Sequence, residues 1–268
     1  MNAPTLWTSP TTWGIFALIF ARCFGTTFFA PIIGGVEISR SIRTAVALTL
    51  ATLIFPTVLG SAFEAAFSEP NGWAAGGALR FGLAFGVELL FGVAFGLALR
   101  CLFSGVSLAG ETIARVGGIS VAGTFDPTTG EEVAPISRFL FWLALVVFAT
   151  AGGFELFIVG LLSGFASVAP GAASTATGAI EHFGAILTLS FGLAIKLAAP
   201  VLLATSAIYL AIGFLGRILP QLNLFAVGFN AAALLTLAVL ALSIGSFGLI
   251  FQAEIDAFLT SLFHLFTS

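Results

Sequence analysis

Arg22, Glu88, Arg100, Glu155 and Lys196 stand in or beside long apolar runs of this 268-residue chain. A charge at the centre of a bilayer costs about 2.5 to 3.5 kcal/mol even on the lenient insertion scale, so each needs a partner or water. Glu88 and Lys196 could form an ion pair or part of a proton path. The plainer alternative is that these charges snorkel to an interface or join ion pairs that fix helix register. Spacing alone does not show which of them meet. His182 and His264 fall at the ends of apolar segments, where interfacial seating explains them better than metal ligation. Cys23 and Cys101 lie inside apolar runs without CxxC spacing, which points to inert core residues and to neither a disulfide framework nor a zinc site.

Enzymatic chemistry has no motif to rest on. The sequence contains no HExxH, no GxSxG, no Walker A pattern and no GxGxxG in a strand-to-helix setting. Glu131 and Glu132 are adjacent in a loop, which does not suit the paired-carboxylate geometry of acid/base work. The expectation is a chain with no catalytic residues, no cofactor and no metal site. That leaves a conduit, a carrier or a scaffold.

The elements that would position these charges follow from composition. Apolar residues make up 59% of the chain and charged ones only 8%, against roughly 25% charged in an ordinary soluble domain. A soluble enzyme is excluded, and a β-barrel porin also, since the apolar runs lack a sustained period of two. The net charge of −3 is too weak and dispersed to bind nucleic acid. The fold class is therefore an all-α integral membrane protein in contact with lipid, read as a single membrane domain over residues 1–268. A spanning helix needs about 20 apolar residues. Six segments qualify: Trp13 to Ala30, Ser41 to Gly60, Trp73 to Phe103, Ser137 to Phe165, His182 to Gly216 and Leu222 to Phe263. The last three exceed the need and could tilt, kink or extend beyond the bilayer, with Pro200 the expected kink in the fifth.

Charge asymmetry between connectors carries orientation. Arg40 and Arg43, then Arg115 and Arg138, then Arg217 mark one side. Met1 to Thr12, Ser61 to Gly72, Ala166 to Glu181 and the tail after Phe263 contain no Lys or Arg. Both termini are expected outside, with Arg80 the exception to the pattern. The start lacks the basic region of a cleavable signal peptide, so the first apolar run is expected to be kept.

Gly82, Gly86, Gly92 and Gly96 form two GxxxG pairs in the hexapeptides FGLAFG and FGVAFG. At about 100° per residue they share roughly a 120° arc, a helix face without side chains. Such a face suits close helix packing, either within the chain or against a neighbouring subunit. The stretch from Ser104 to Ser137 fits a solvent loop poorly. It has a helix-like opening, then Gly117-Gly118 and Gly123, a turn at Asp126-Pro127-Thr128-Thr129-Gly130, and Pro135. Its apolar residues Ile113, Val116, Ile119, Val121 and Phe125 suit either an interfacial or re-entrant segment or a flap that closes a channel.

Three blocks resemble a known family: ARCFGTTFFAPIIGGVEISRSIRTAVALTLA from Ala21 to Ala51, LAGETIARVGGISVAGTFDPTTGEEVAPISRFL from Leu108 to Leu140, and RILPQLNLFAVGF from Arg217 to Phe229. Together they look like the FliR family, the R subunit of the flagellar export gate, and its virulence-secretion counterpart SctT. The resemblance implies a noncatalytic, all-helical subunit of a type III export gate in the bacterial inner membrane and flagellar basal body. Its implied partners are P-like and Q-like membrane subunits, other type III export components and unfolded protein substrates. It implies a P-like portion fused to a Q-like one at His182 to Phe263, in a gate that sits largely above the bilayer plane. The family's pore plug falls here on about Arg115 to Thr129, which includes Val116, Gly117, Gly118, Ile119, Val121, Gly123, Phe125, Asp126 and Pro127. After Gly228, many relatives have Pro and then Lys, whereas this chain continues Phe229-Asn230-Ala231, so no role of that lysine carries over. The flagellar form is preferred over the virulence form. The competing reading is a small-molecule secondary transporter using Glu88 and Lys196, for which the expected half-chain repeat is missing. An intramembrane enzyme is a third.

Overall fold

Helices supply every element among the described residues of the computed structural model, which are 10–31, 39–58, 77–119, 135–167, 176–218 and 224–267. They are α1 (Pro10–Phe29), α2 (Arg40–Val58), α3 (Gly77–Val116), α4 (Pro135–Thr150), α5 (Gly153–Ser167), α6 (Ala176–Ile218) and α7 (Leu224–Thr267). Among the described residues five helices are long and apolar enough to cross a membrane, or six spans if α4 and α5 together count as one. The all-helical membrane class expected from composition is the class observed.

Local sequence explains the ends. Pro10 and Pro135 open α1 and α4, where a missing N–H costs nothing and the fixed φ suits the first turn. Ser39 caps α2: its carbonyl accepts from the N–H groups of Ile42 (3.1 Å) and Arg43 (3.3 Å). Helix α3 ends at Gly118, whose φ of +71° is left-handed and cheap only for glycine.

Two element boundaries differ most from the sequence reading. The third segment runs to Val116, not Phe103, so the helix-like opening of the supposed loop is the last part of α3. The fourth segment is two helices, because Gly152 at φ +75° breaks it after Thr150. Pro200 lies inside α6, as the sequence reading placed it inside the fifth segment. At 1.5 Å per residue, α3, α6 and α7 are each about 60 Å or more long, roughly twice the hydrocarbon thickness.

The chain divides into two compact units: Met1–Cys101, Phe154–Ile186 and Phe258–Ser268, then Leu102–Gly153 and Leu187–Ala257. In the first, Ile15, Leu18 and Ile19 of α1 are buried. Phe16 meets Phe55 of α2 edge-on at 5.7 Å, and Phe95 of α3 packs on Phe157 of α5 at 4.7 Å. In the second, Phe103 of α3 is surrounded by Phe141 and Phe148 of α4, both at 5.5 Å, and Phe251 of α7 at 6.0 Å. Large apolar side chains remain exposed on α6 and α7, with Leu242 at 85%, as befits helices that face lipid or other subunits.

Candidate functional site

The charges of the first unit meet on the inward faces of α1 and α3. Arg22 and Glu88 are both buried. The Arg22 Nε donates to Glu88 Oε2 at 2.6 Å, and Nη2 lies 2.6 Å from the same oxygen. The guanidinium also stands 4.3 Å from the centroid of the Phe165 ring and 5.5 Å from that of Phe91. Aromatic faces attract a desolvated cation strongly. The Glu88 carboxylate and two aromatic rings thus help to offset a charge buried away from solvent. A small cavity beside Arg22 is lined by Phe91, Phe95, Gly160, Leu161 and Gly164, which leaves the pair enclosed by apolar surface.

The second unit holds a second pair. Lys196 Nζ of α6 donates to Glu254 Oε1 of α7. Here the lysine side chain is 58% exposed and the glutamate 12%. Of the alternatives open for Glu88 and Lys196, a mutual ion pair is not the contact found: Glu88 lies against Arg22 and Lys196 against Glu254. Glu254 escaped the sequence reading, although the two carboxylates Glu254 and Asp256 in the apolar run LIFQAEIDAF were a signal that could have found it. Arg100 and Glu155 are exposed. The side chains of His182 and His264 lie outside the described residues.

The four glycines of α3 divide. A Cβ at Gly92 would lie 2.0 Å from the Arg22 carbonyl oxygen, and one at Gly96 would lie 2.6 Å from the Thr26 carbonyl oxygen. These two permit the contact with α1 that brings Arg22 to Glu88. At Gly82 and Gly86 an added Cβ would have nothing within 4 Å among the described residues. Further along, a Cβ at Gly105 would strike the Ser190 carbonyl at 2.4 Å and one at Gly110 the Ser137 Cα at 2.4 Å. Neither was singled out from the sequence, because their five-residue spacing is not GxxxG. Ser137, which meets Gly110, also donates from Oγ to the Ser107 carbonyl at 3.0 Å, fixing the start of α4 on α3.

Of the residues expected to form a plug, Val116 is helical and Gly117, Gly118 and Ile119 form the turn that follows it. Helix α3 therefore keeps Arg115 and Val116 as its last two residues, and the turn begins at Gly117. Val121, Gly123, Phe125, Asp126 and Pro127 lie outside the described residues, as do Glu131 and Glu132. Among the described residues, no cluster of three or more His, Cys, Asp or Glu is placed to hold a metal.

The arrangement is thus one of apolar helices, close backbone contacts and charges that tie helices together. Comparison with known proteins points the same way. The family described as "Bacterial export proteins, family 1" matches residues 13–258. The flagellar biosynthetic protein FliR of Pectobacterium carotovorum subsp. carotovorum is 30% identical over 214 residues, 78% of this chain and 76% of the relative. The flagellar biosynthetic protein FliR of Caulobacter vibrioides is 28% identical over 234 residues, 87% of this chain and 90% of the relative. The surface presentation of antigens protein SpaR of Shigella flexneri is 27% identical over 131 residues, about half of each chain.

Proposed function

The chain belongs to family 1 of the bacterial export proteins, the FliR family, and on that premise we propose that it is a noncatalytic subunit of the flagellar type III export gate, forming part of the pore through which unfolded proteins leave. It is a multi-pass helical membrane protein of the export apparatus. The observation that carries the reading is the match over nearly the whole chain, to relatives whose own lengths are covered to 76% and 90%. The exposed apolar faces of α6 and α7 support assembly with other subunits. The P-like and Q-like gate proteins are the proposed neighbours, with His182 to Phe263 as the Q-like portion. The inner membrane is the proposed site, with both termini outside.

Arg115 to Thr129 is proposed as the closure element. A gate for unfolded chains must be tight to ions when idle and wide when open. An apolar, glycine-containing stretch meets both demands. Two experiments test these assignments. A strain lacking this chain should lose flagellar protein export and regain it on complementation, with P-like and Q-like proteins copurifying; export that continues without the chain would end the gate reading. Deleting Gly117 to Gly123 should leave an assembled complex that leaks ions. A deletion complex as tight as the parent would end the closure assignment alone.

A further inference from the structure

We propose that Tyr209 and Thr236 are positioning residues that grip the end of α3 and tie it to α6 and α7, so that the chain leaving α3 takes its starting position from the last two helices. The inference rests on the closure reading of the stretch that begins at Gly117. It concerns residues of the second unit only.

A helix leaves its last carbonyls without intrahelical donors. At the end of α3, the Val116 carbonyl accepts a hydrogen bond from Tyr209 Oη of α6 at 3.0 Å, across 93 positions of sequence. Tyr209 is the sole tyrosine of a chain with 30 phenylalanines. Where bulk suffices, this sequence uses Phe; here it places a hydroxyl against a carbonyl that needs a donor.

The next residue is gripped from the other side. A Cβ at Gly117 would lie 2.6 Å from Thr236 Cγ2 and 2.8 Å from Thr236 Oγ1, so the backbone there sits directly on α7. Thr236 cannot easily give way. It is buried, as is Thr205 of α6, and the two hydroxyls stand 3.1 Å apart. The carbonyls of Val201 (2.7 Å from Thr205 Oγ1) and Ala232 (2.8 Å from Thr236 Oγ1) take whichever proton the pair leaves over. Thr205 and Tyr209 are four residues apart and share a face of α6. One face of α6 therefore sets both its own register on α7 and the hold on Val116. Gly117 and Gly118 complete the post: their N–H groups donate to the carbonyls of Ile113 (2.8 Å) and Arg115 (3.2 Å), and Gly118 then turns the chain off the helix axis at φ +71°. A shift of the α6 and α7 pair must carry this turn with it or break the Tyr209 bond.

The test uses the assembled complex in membrane vesicles, reading amide hydrogen exchange at Gly117 to Ile119 and ion leak together. Tyr209→Phe should assemble normally, exchange about threefold to tenfold faster at these amides, the factor one net hydrogen bond is worth, and leak ions. Gly117→Ala should leak as well, and adding Thr236→Ala, which removes the two closest of the three atoms the new methyl would strike and leaves the Ile113 carbonyl oxygen at 2.9 Å, should reduce that leak in part. Should Gly117→Ala fail to assemble, Tyr209→Phe decides the matter. Parent-like exchange in Tyr209→Phe overturns the grip. Faster exchange without leak overturns its role in closure. A tight Tyr209→Phe complex beside a leaky Gly117 to Gly123 deletion sinks this inference alone, whereas a tight deletion sinks the closure reading beneath it.

Discussion

Arg22–Glu88 and Lys196–Glu254 are both ion pairs between two helices of an apolar protein, yet their surroundings are opposite. The first is sealed: both side chains are buried, Phe91 and Phe165 flank the guanidinium, and Gly92 lets the α1 backbone come within reach of α3. The second is open on the lysine side. Removing one partner of a sealed pair strands a charge in a medium that cannot solvate it, whereas an exposed lysine already has an outlet. A basic–acidic pair can therefore be indispensable in one unit and nearly replaceable in the other.

The largest effect should come from breaking the sealed pair. Arg22→Leu or Glu88→Leu alone is expected to cost about 3 to 5 kcal/mol, read as loss of the chain from the membrane fraction or a collapse of thermal stability in detergent. Combining Arg22→Met with Glu88→Leu should recover much of that loss, since no charge is then stranded. A double variant as poor as the singles would mean that the pair acts through more than mutual neutralisation.

A middle effect should separate the two halves of the glycine face. Gly92→Ala forces a methyl onto the Arg22 carbonyl and should destabilise by about 1 to 3 kcal/mol or more, as overpacking does. Gly86→Ala meets nothing within 4 Å among the described residues and should be neutral or stabilising by up to about 1 kcal/mol, the helix-propensity gain. Measured stabilities of the purified subunit check both. A Gly86→Ala chain that is stable but no longer copurifies with its neighbours would assign the open glycines to a subunit contact.

The smallest effect belongs to the pair whose lysine is open to its surroundings. Lys196→Met should change stability by no more than about 1 kcal/mol and leave export near the parent level. Lys196→Glu should do worse, because it faces Glu254 with a like charge. Equal loss of export in both variants at normal protein level would show that the ammonium itself takes part in export.

The end of α3 shows where legibility stopped. Gly117, Gly118 and the apolar residues around them stood out in the sequence, but Tyr209, Thr205 and Thr236 did not. A tyrosine within an apolar helix reads as bulk until a carbonyl 93 positions away is placed against it. Likewise Gly105 and Gly110 carry contacts as close as those at Gly92 and Gly96, although their spacing matched no motif. The break at Gly152 was hidden for a related reason: Gly152-Gly153 resembles the many other glycines of the chain until a left-handed φ distinguishes one of them.

Composition and apolar run length determined the helical membrane class by themselves, because a backbone in lipid must bond to itself and a long apolar run does so as a helix. The three sequence blocks likewise sufficed to place the chain in its family. Tertiary structure alone decided that Glu88 answers Arg22, that Lys196 answers Glu254, and that Gly92 and Gly96, of the four glycines, take the α1 backbone. Those outcomes depend on how far one long helix is shifted and turned against another. A change of one residue rotates a helix face by about 100°, and that register is set by the sum of many contacts, not by any local pattern of residues.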